Sequence, residues 1–190
     1  MADEGKHKAQ RVRVGRPVAA TSGRSRFGLT GVSQGYDART VAIRADLADI
    51  AVAGQHFAPH YAAPMMRSMT AATPLRATPA DDSDIVAQLL PGEGFALLDV
   101  TGGMAWGYRL ADHLVGYCPA AALGAPIAAS HRVTRDEAVL HAGPDEGAHA
   151  VHHLPAGSLV MGAAVGDWLE TPHGWLRLAD VEEVAATGAA

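Results

Sequence analysis

The feature that most limits what this chain can fold into is a rhythm of short apolar runs cut by glycine and proline. After residue 64, the runs 65–70, 85–90, 95–100, 104–110 and 113–118 are separated by turn sequences such as Pro91-Gly92-Glu93-Gly94 and Thr101-Gly102-Gly103. A shorter extended piece, 75–77, precedes the acidic turn Asp81-Asp82-Ser83-Asp84, and Pro119-Ala120-Ala121-Ala122-Leu123 reads as a closing helical turn. Strands of about five or six residues at spacings near ten specify a small all-β barrel. Such runs leave no room for βαβ units, whose crossovers need about 10–12 residues or more. With 190 residues and 48% hydrophobic side chains, the chain can bury one ordinary core or two small ones.

The pattern then recurs. Leu75-x-Ala77-x-Pro79 matches Leu140-x-Ala142-x-Pro144, and Leu90-Pro91-Gly92-Glu93-Gly94 matches Leu154-Pro155-Ala156-Gly157-Ser158. Trp106 matches Trp168, and Gly116-Tyr117 matches Gly174-Trp175. The offset shrinks along the repeat from 65 through 64 and 62 to 58, as shortened loops would produce with strand order kept. Two tandem barrels are therefore expected, at 65–126 and 130–185, followed by a tail at 186–190; a repeat of this period is a small domain rather than a solenoid unit.

The barrels are preceded by two different stretches. Residues 1–40, rich in Gly, Ser and Arg, are expected to be a disordered basic leader. Residues 1–26 carry seven bases against Asp3 and Glu4, a net +5, while residues 27–190 carry eight bases against eighteen acids, a net −10. Residues 41–64 read as an extended packing segment with a short helical turn over 47–52 capped by Asp46, and with Leu47, Ile50, Val52 and Phe57 as anchors. Pro59 and Pro64 hold its second half extended. No apolar run of about 18 residues spans a membrane, and no apolar stretch near the start makes a secretory signal. With the single cysteine, Cys118, these features point to a cytoplasmic chain without a disulfide framework. Residues 65–190 carry six bases against fifteen acids, a balance that repels phosphate, so no nucleic-acid partner is expected.

The repeat, with L-x-A-x-P, then L-P-G, then W, then V-G-Y-x-P-A-A-A-L, resembles bacterial SH3-like domains. More specifically, residues 41–123 resemble the N-terminal part of NlpC-type cell-wall peptidases. The matching stretches are Arg44-Ala45-Asp46-Leu47-Ala48-Asp49, Phe57-Ala58-Pro59-His60-Tyr61-Ala62, Ala105-Trp106-Gly107-Tyr108 and Val115-Gly116-Tyr117-Cys118-Pro119. The resemblance implies an all-β chain of two tandem SH3-like barrels, which in that family precede a papain-like domain that cuts cell-wall peptides. It implies as partner a cell-wall stem peptide, or a peptidase or other protein. The family's Asp-Cys-Ser-Gly nucleophile run is absent. Cys118 ends a strand, and His113 is expected on that same strand, too far along it to serve as its base. The expected function is therefore a noncatalytic tandem module that binds cell-wall-derived peptide or a partner protein. The alternative is the targeting half of a truncated or split cysteine peptidase, its catalytic domain starting near residue 190.

Candidate ligand-binding residues are Trp106, Tyr108 and Tyr117, on neighbouring strands, because aromatic grooves of SH3-like folds bind extended peptide. A tryptophan in a small barrel commonly fills the core. If Trp106 does so, Tyr108 also points inward, while Ala105 and Gly107 point out. His60 and Tyr61 join the candidates through the family-like Phe57–Ala62 stretch. Asp81, Asp82 and Asp84 are placed to bind an amine or simply to form a solvated turn. His149, His152 and His153 cluster in sequence, but strand alternation splits them between faces, so no metal site is expected. No catalytic residue and no cofactor are assigned, and the glycine-rich turns open no helix as a phosphate loop would.

Overall fold

The computed structural model describes residues 35–185. Most of the leader, residues 1–34, and the tail at 186–190 lie outside the described residues. The described chain is all-β, with three single 3-10 turns as its helical structure. Among the described residues no helix is long and apolar enough to cross a membrane.

The first elements are two short parallel strands, β1 (Leu47–Asp49) and β2 (His60–Ala62). The turn expected over 47–52 is shorter than its sequence suggests. Leu47–Asp49 is spent on pairing with β2, and only Ile50–Val52 turns. Asp49, not Asp46, caps it, accepting from the Ala51 N–H at 2.9 Å. Two of the expected anchors also fail: Ile50 is 53% exposed and Phe57 88% exposed. The buried apolar residues of this segment are instead Ala42, Ala48 and Ala58. Small side chains let its backbone lie close to the sheet below, which a row of large anchors would hold away.

Seven strands follow: β3 (Met65–Met69), β4 (Thr73–Arg76), β5 (Ile85–Leu89), β6 (Gly94–Thr101), β7 (Met104–Arg109), β8 (Val115–Pro119) and β9 (Leu123–Gly124). They form one antiparallel sheet in the order β5-β4-β8-β7-β6-β3-β9. The sheet curls about one cluster, Met69, Leu75, Leu89, Phe95, Ala105 and Cys118, drawn from its six longer strands. The expected closing turn is present as a 3-10 turn at Ala120–Ala122.

The remaining strands are β10 (His131–Val133), β11 (Glu137–His141), β12 (Ala150–Pro155), β13 (Leu159–Val160), β14 (Ala163–Val165), β15 (Trp168–Thr171), β16 (Gly174–Arg177) and β17 (Val181–Glu183). Their orders are β12-β11-β16-β15-β14 and β13-β10-β17. With β13 and β14 taken as halves of one broken strand, this is the order of the first sheet. At the break, Ser130 Oγ accepts from the Gly162 N–H at 3.0 Å and donates to the Gly162 carbonyl at 3.1 Å. A hydroxyl thus serves the backbone where ladder pairing lapses.

Pairing partners place the two strand systems in register residue by residue, and two matches made from sequence shift. Thr73 faces Leu89 and Ala138 faces Leu154, so Leu154 corresponds to Leu89 rather than Leu90. The turn glycines agree: Gly92 and Gly157 both sit at positive φ, +80° and +87°, and donate to Met69 and Val133. Trp106 faces Tyr117, whereas Trp175 faces Glu170 and Trp168 faces Arg177. Trp168 therefore corresponds to Met104, and Glu170 takes the place of Trp106. Spacing misled here because the loop between β15 and β16 is cut short while the preceding hairpin is not.

The cores trade large and small side chains across this register. Where the first has Ala105 and Cys118, the second has Leu169 and Leu176; where the first has Phe95, the second has Val160. One large ring with two small partners is exchanged for three aliphatic side chains of middling size. Ala105→Leu alone therefore overpacks against Phe95 and lowers stability by about 1–3 kcal/mol. Adding Phe95→Val recovers much of that loss, read as the denaturant midpoint of each variant; equal losses with and without Phe95→Val would contradict the exchange.

Candidate functional site

Strand β7 decides which side chains are available for binding. Ala105 belongs to the core, and a Cβ added at Gly107 would collide with the Ala96 carbonyl and the Phe95 ring, so both face inward. Trp106 and Tyr108 consequently face outward, the reverse of a core-filling tryptophan. Trp106 is nonetheless only 3% exposed. It forms a second buried layer with Ala42 and Leu98, packed around by Leu47, Ala62, Tyr108, Val115 and Tyr117. Residues 41–62 are thus a strap across the outside of the β6–β7–β8 face.

The strap begins as a tight hairpin. The Asp49 N–H donates to the Ala42 carbonyl at 3.0 Å and the Arg44 N–H to the Leu47 carbonyl at 2.8 Å, which puts Arg44 and Asp46 at its tip. Arg44 Nε and Nη2 donate to Asp46 Oδ1 and Oδ2 at 2.6 and 2.9 Å. Nη2 also donates to Asp99 Oδ2 on β6 at 2.7 Å. The guanidinium lies 4.7 Å from the centroid of the Trp106 ring. Thr101 Oγ1 donates to the same Asp99 oxygen at 3.1 Å. The guanidinium holds both carboxyls below the usual carboxylate range, and its own ionisation is pushed up, chiefly by Asp46 and then by Asp99.

A cleft of about 290 Å³ opens beside this cluster, walled by Arg44, Asp46, Asp99, Trp106 and Tyr117, with Pro79, Thr101 and Met104 completing it. Two carboxylates against one guanidinium leave it net negative. That volume is at the small end of ligand pockets.

Of the residues expected to bind ligand, Trp106 and Tyr117 meet in this cleft, cross-strand partners on β7 and β8. Tyr108 lies further along the face, beneath the strap. Burial, with the Asp49 carboxylate nearby, pushes its phenol up to about 12, and its ring stacks on His113 at 5.2 Å. His60 is exposed on β2. The Tyr61 hydroxyl is committed to the backbone, donating to the His56 carbonyl at 2.6 Å and accepting from the Ala58 N–H at 3.0 Å. Asp81, Asp82 and Asp84 are exposed on the β4–β5 loop, whose Pro79 reaches the cleft. Arg44, Asp46 and Asp99 were not singled out from sequence as site residues. Arg44-Ala45-Asp46 stood inside a family-like stretch, which was the available signal; Asp99 carried none.

Cys118 is fully buried in the first core, and burial alone pushes its thiol up to about 11. His113 is not on its strand but in the turn before β8, at φ +60°, with its ring on Tyr108. His149, His152 and His153 are exposed, and among the described residues no group of three or more His, Cys, Asp or Glu side chains is placed to hold a metal ion.

The Arg44 cluster gives the strap a pH dependence of known sign. Carboxyls with depressed folded pKa values contribute stability that is complete above their unfolded value of about 4 and is lost as pH falls through the folded values. Acidification toward pH 2 therefore loosens residues 42–49 against the sheet, seen as faster amide exchange there than in β7. Arg44→Gln loosens the strap at neutral pH and flattens this acid step. Coincident acid profiles for the two proteins would contradict the assignment.

Residues 75–123, from within β4 to the start of β9, match the family model described as the bacterial dipeptidyl-peptidase SH3 domain. No curated protein matches the chain. The matched stretch contains Trp106, Tyr108 and Tyr117 and stops short of the strap that covers them.

Proposed function

We propose that this chain is a noncatalytic, peptidase-associated module of two tandem SH3-like barrels that binds cell-wall-derived peptide in the Arg44–Trp106–Tyr117 cleft. The observation that carries the reading is the cleft itself, where the aromatic walls and Asp99 come from a stretch similar to a peptidase SH3 domain and the strap adds Arg44 and Asp46 to give a net negative rim. Aromatic surface takes up apolar peptide side chains, and the surplus carboxylate favours a peptide's ammonium end over its carboxylate end. The compartment in keeping with this reading is the cytoplasm, with recycled wall peptides as ligands.

A second reading is favoured by the dipeptidyl-peptidase description of the matched family: the module is the specificity half of a cell-wall cysteine peptidase. Phe57, almost fully exposed on the family-like stretch, then packs on the catalytic partner.

Titration of the full chain with stem peptide, followed by amide shifts, tests the first reading. Shifts centre on residues 44–46, 99, 106 and 117, Tyr117→Ala weakens binding about tenfold, and the peptide is recovered uncut. Absence of shifts at millimolar peptide would sink the binding reading, and hydrolysis by the chain alone would sink the noncatalytic one.

A further inference from the structure

The second strand system has an outward face in register with the strapped face of the first, and among the described residues that face is open. Opposite the core residues Leu169 and Leu176, alternation puts Trp168, Glu170, Trp175 and Arg177 on the outside of β15 and β16. Glu170 lies directly across from Trp175, and His141 of β11 lies across from Trp175 on its other side. Trp168 and Trp175 are partly exposed and Glu170 is exposed, where the corresponding layer of the first system is buried.

The first system shows what such a face takes. Its cross-strand pair Trp106–Tyr117 receives a hairpin whose apolar residues, Ala42 and Leu47, pack on the sheet while the Arg44 guanidinium lies on the Trp106 ring. The corresponding pair in the second system is Glu170–Trp175. A cationic side chain docked in the same way meets a carboxylate in place of the Trp106 indole, and an indole in place of the Tyr117 phenol. The indole favours a cation more than the phenol does, and Glu170 supplies the sheet carboxylate that Asp99 supplies in the first system, where the second has Ala163. The surroundings agree in sign. Asp145 and Glu146 are exposed in the loop after β11 and Asp167 in the turn before β15, and the face's own base, Arg177, is occupied by the Trp168 ring at 5.6 Å and by an ion pair with Glu146.

We propose that the outward face of β11, β16 and β15 is a docking surface for an extended peptide segment bearing a basic side chain, whose cationic group is held between Glu170 and Trp175. The site is separate from the cleft at Trp106 and does not depend on the function proposed for it.

The test is titration of the full chain with the capped heptapeptide Ala-Val-Ala-Arg-Ala-Val-Ala and with its glutamine and glutamate analogues, followed by amide shifts. Shifts are expected at residues 141, 168–170 and 175–177. Both the glutamine analogue and Glu170→Gln, an exposed change that leaves the remaining amide spectrum in place, weaken binding about fivefold. Shifts confined to the Trp106 cleft, binding unaffected by Glu170→Gln, equal or tighter binding of the glutamate analogue, or no shifts at millimolar peptide would each overturn the proposal.

Discussion

Burial of β7 on both faces is the constraint on which the first half of this protein depends. Inward, Ala105 and Gly107 are small because the Phe95 ring fills the space beneath them. Outward, Trp106 would expose a large indole if residues 41–62 did not lie across it. Covering roughly 150–250 Å² of tryptophan surface contributes about 4–6 kcal/mol as an upper figure. The part-shielded Arg44–Asp99 pair contributes about 1 kcal/mol at most. Apolar burial therefore holds the strap on, and the Arg44 cluster decides where it sits.

That division of labour shapes the cleft. An apolar strap alone could slide over an aromatic face. Two hydrogen bonds from Arg44 to Asp46 fix the guanidinium at the hairpin tip, and one to Asp99 ties that tip to β6 with the guanidinium against Trp106. The walls of the cleft are then contributed by segments far apart in sequence, Arg44 and Asp46 from the strap and Asp99, Trp106 and Tyr117 from the sheet. A ligand there contacts both, so strap position and ligand affinity are linked.

Much of the architecture was legible in the sequence because its signals were local. Period-two runs and Gly/Pro turns located β3, β5, β6 and β7 to within a residue or two, and the alanine run before Leu123 located the turn after β8. What was not legible required knowing what lies on the far side of a strand. Alternation told correctly that Trp106 and Tyr108 share a face, but not which face, since both sides of β7 are covered and an indole suits either. Ala42 and Ala48 looked less like anchors than Ile50 and Phe57, because close backbone approach rewards small residues and leaves no mark on hydropathy. The register of Trp168 was missed because one shortened hairpin displaced the match by two residues, an even number that preserves the face and hides the error. Asp99 entered the site only through a partner 55 residues away.

The most direct measurement of the strapped face is acrylamide quenching of a chain in which Trp168→Phe and Trp175→Phe leave Trp106 as the only one of the three tryptophans. A covered Trp106 emits at short wavelength and is quenched weakly, and deletion of residues 41–62 shifts its emission to the red and raises quenching several-fold. Strong quenching in the intact chain, or no change on removing the strap, would contradict a Trp106 held between the sheet and residues 41–62.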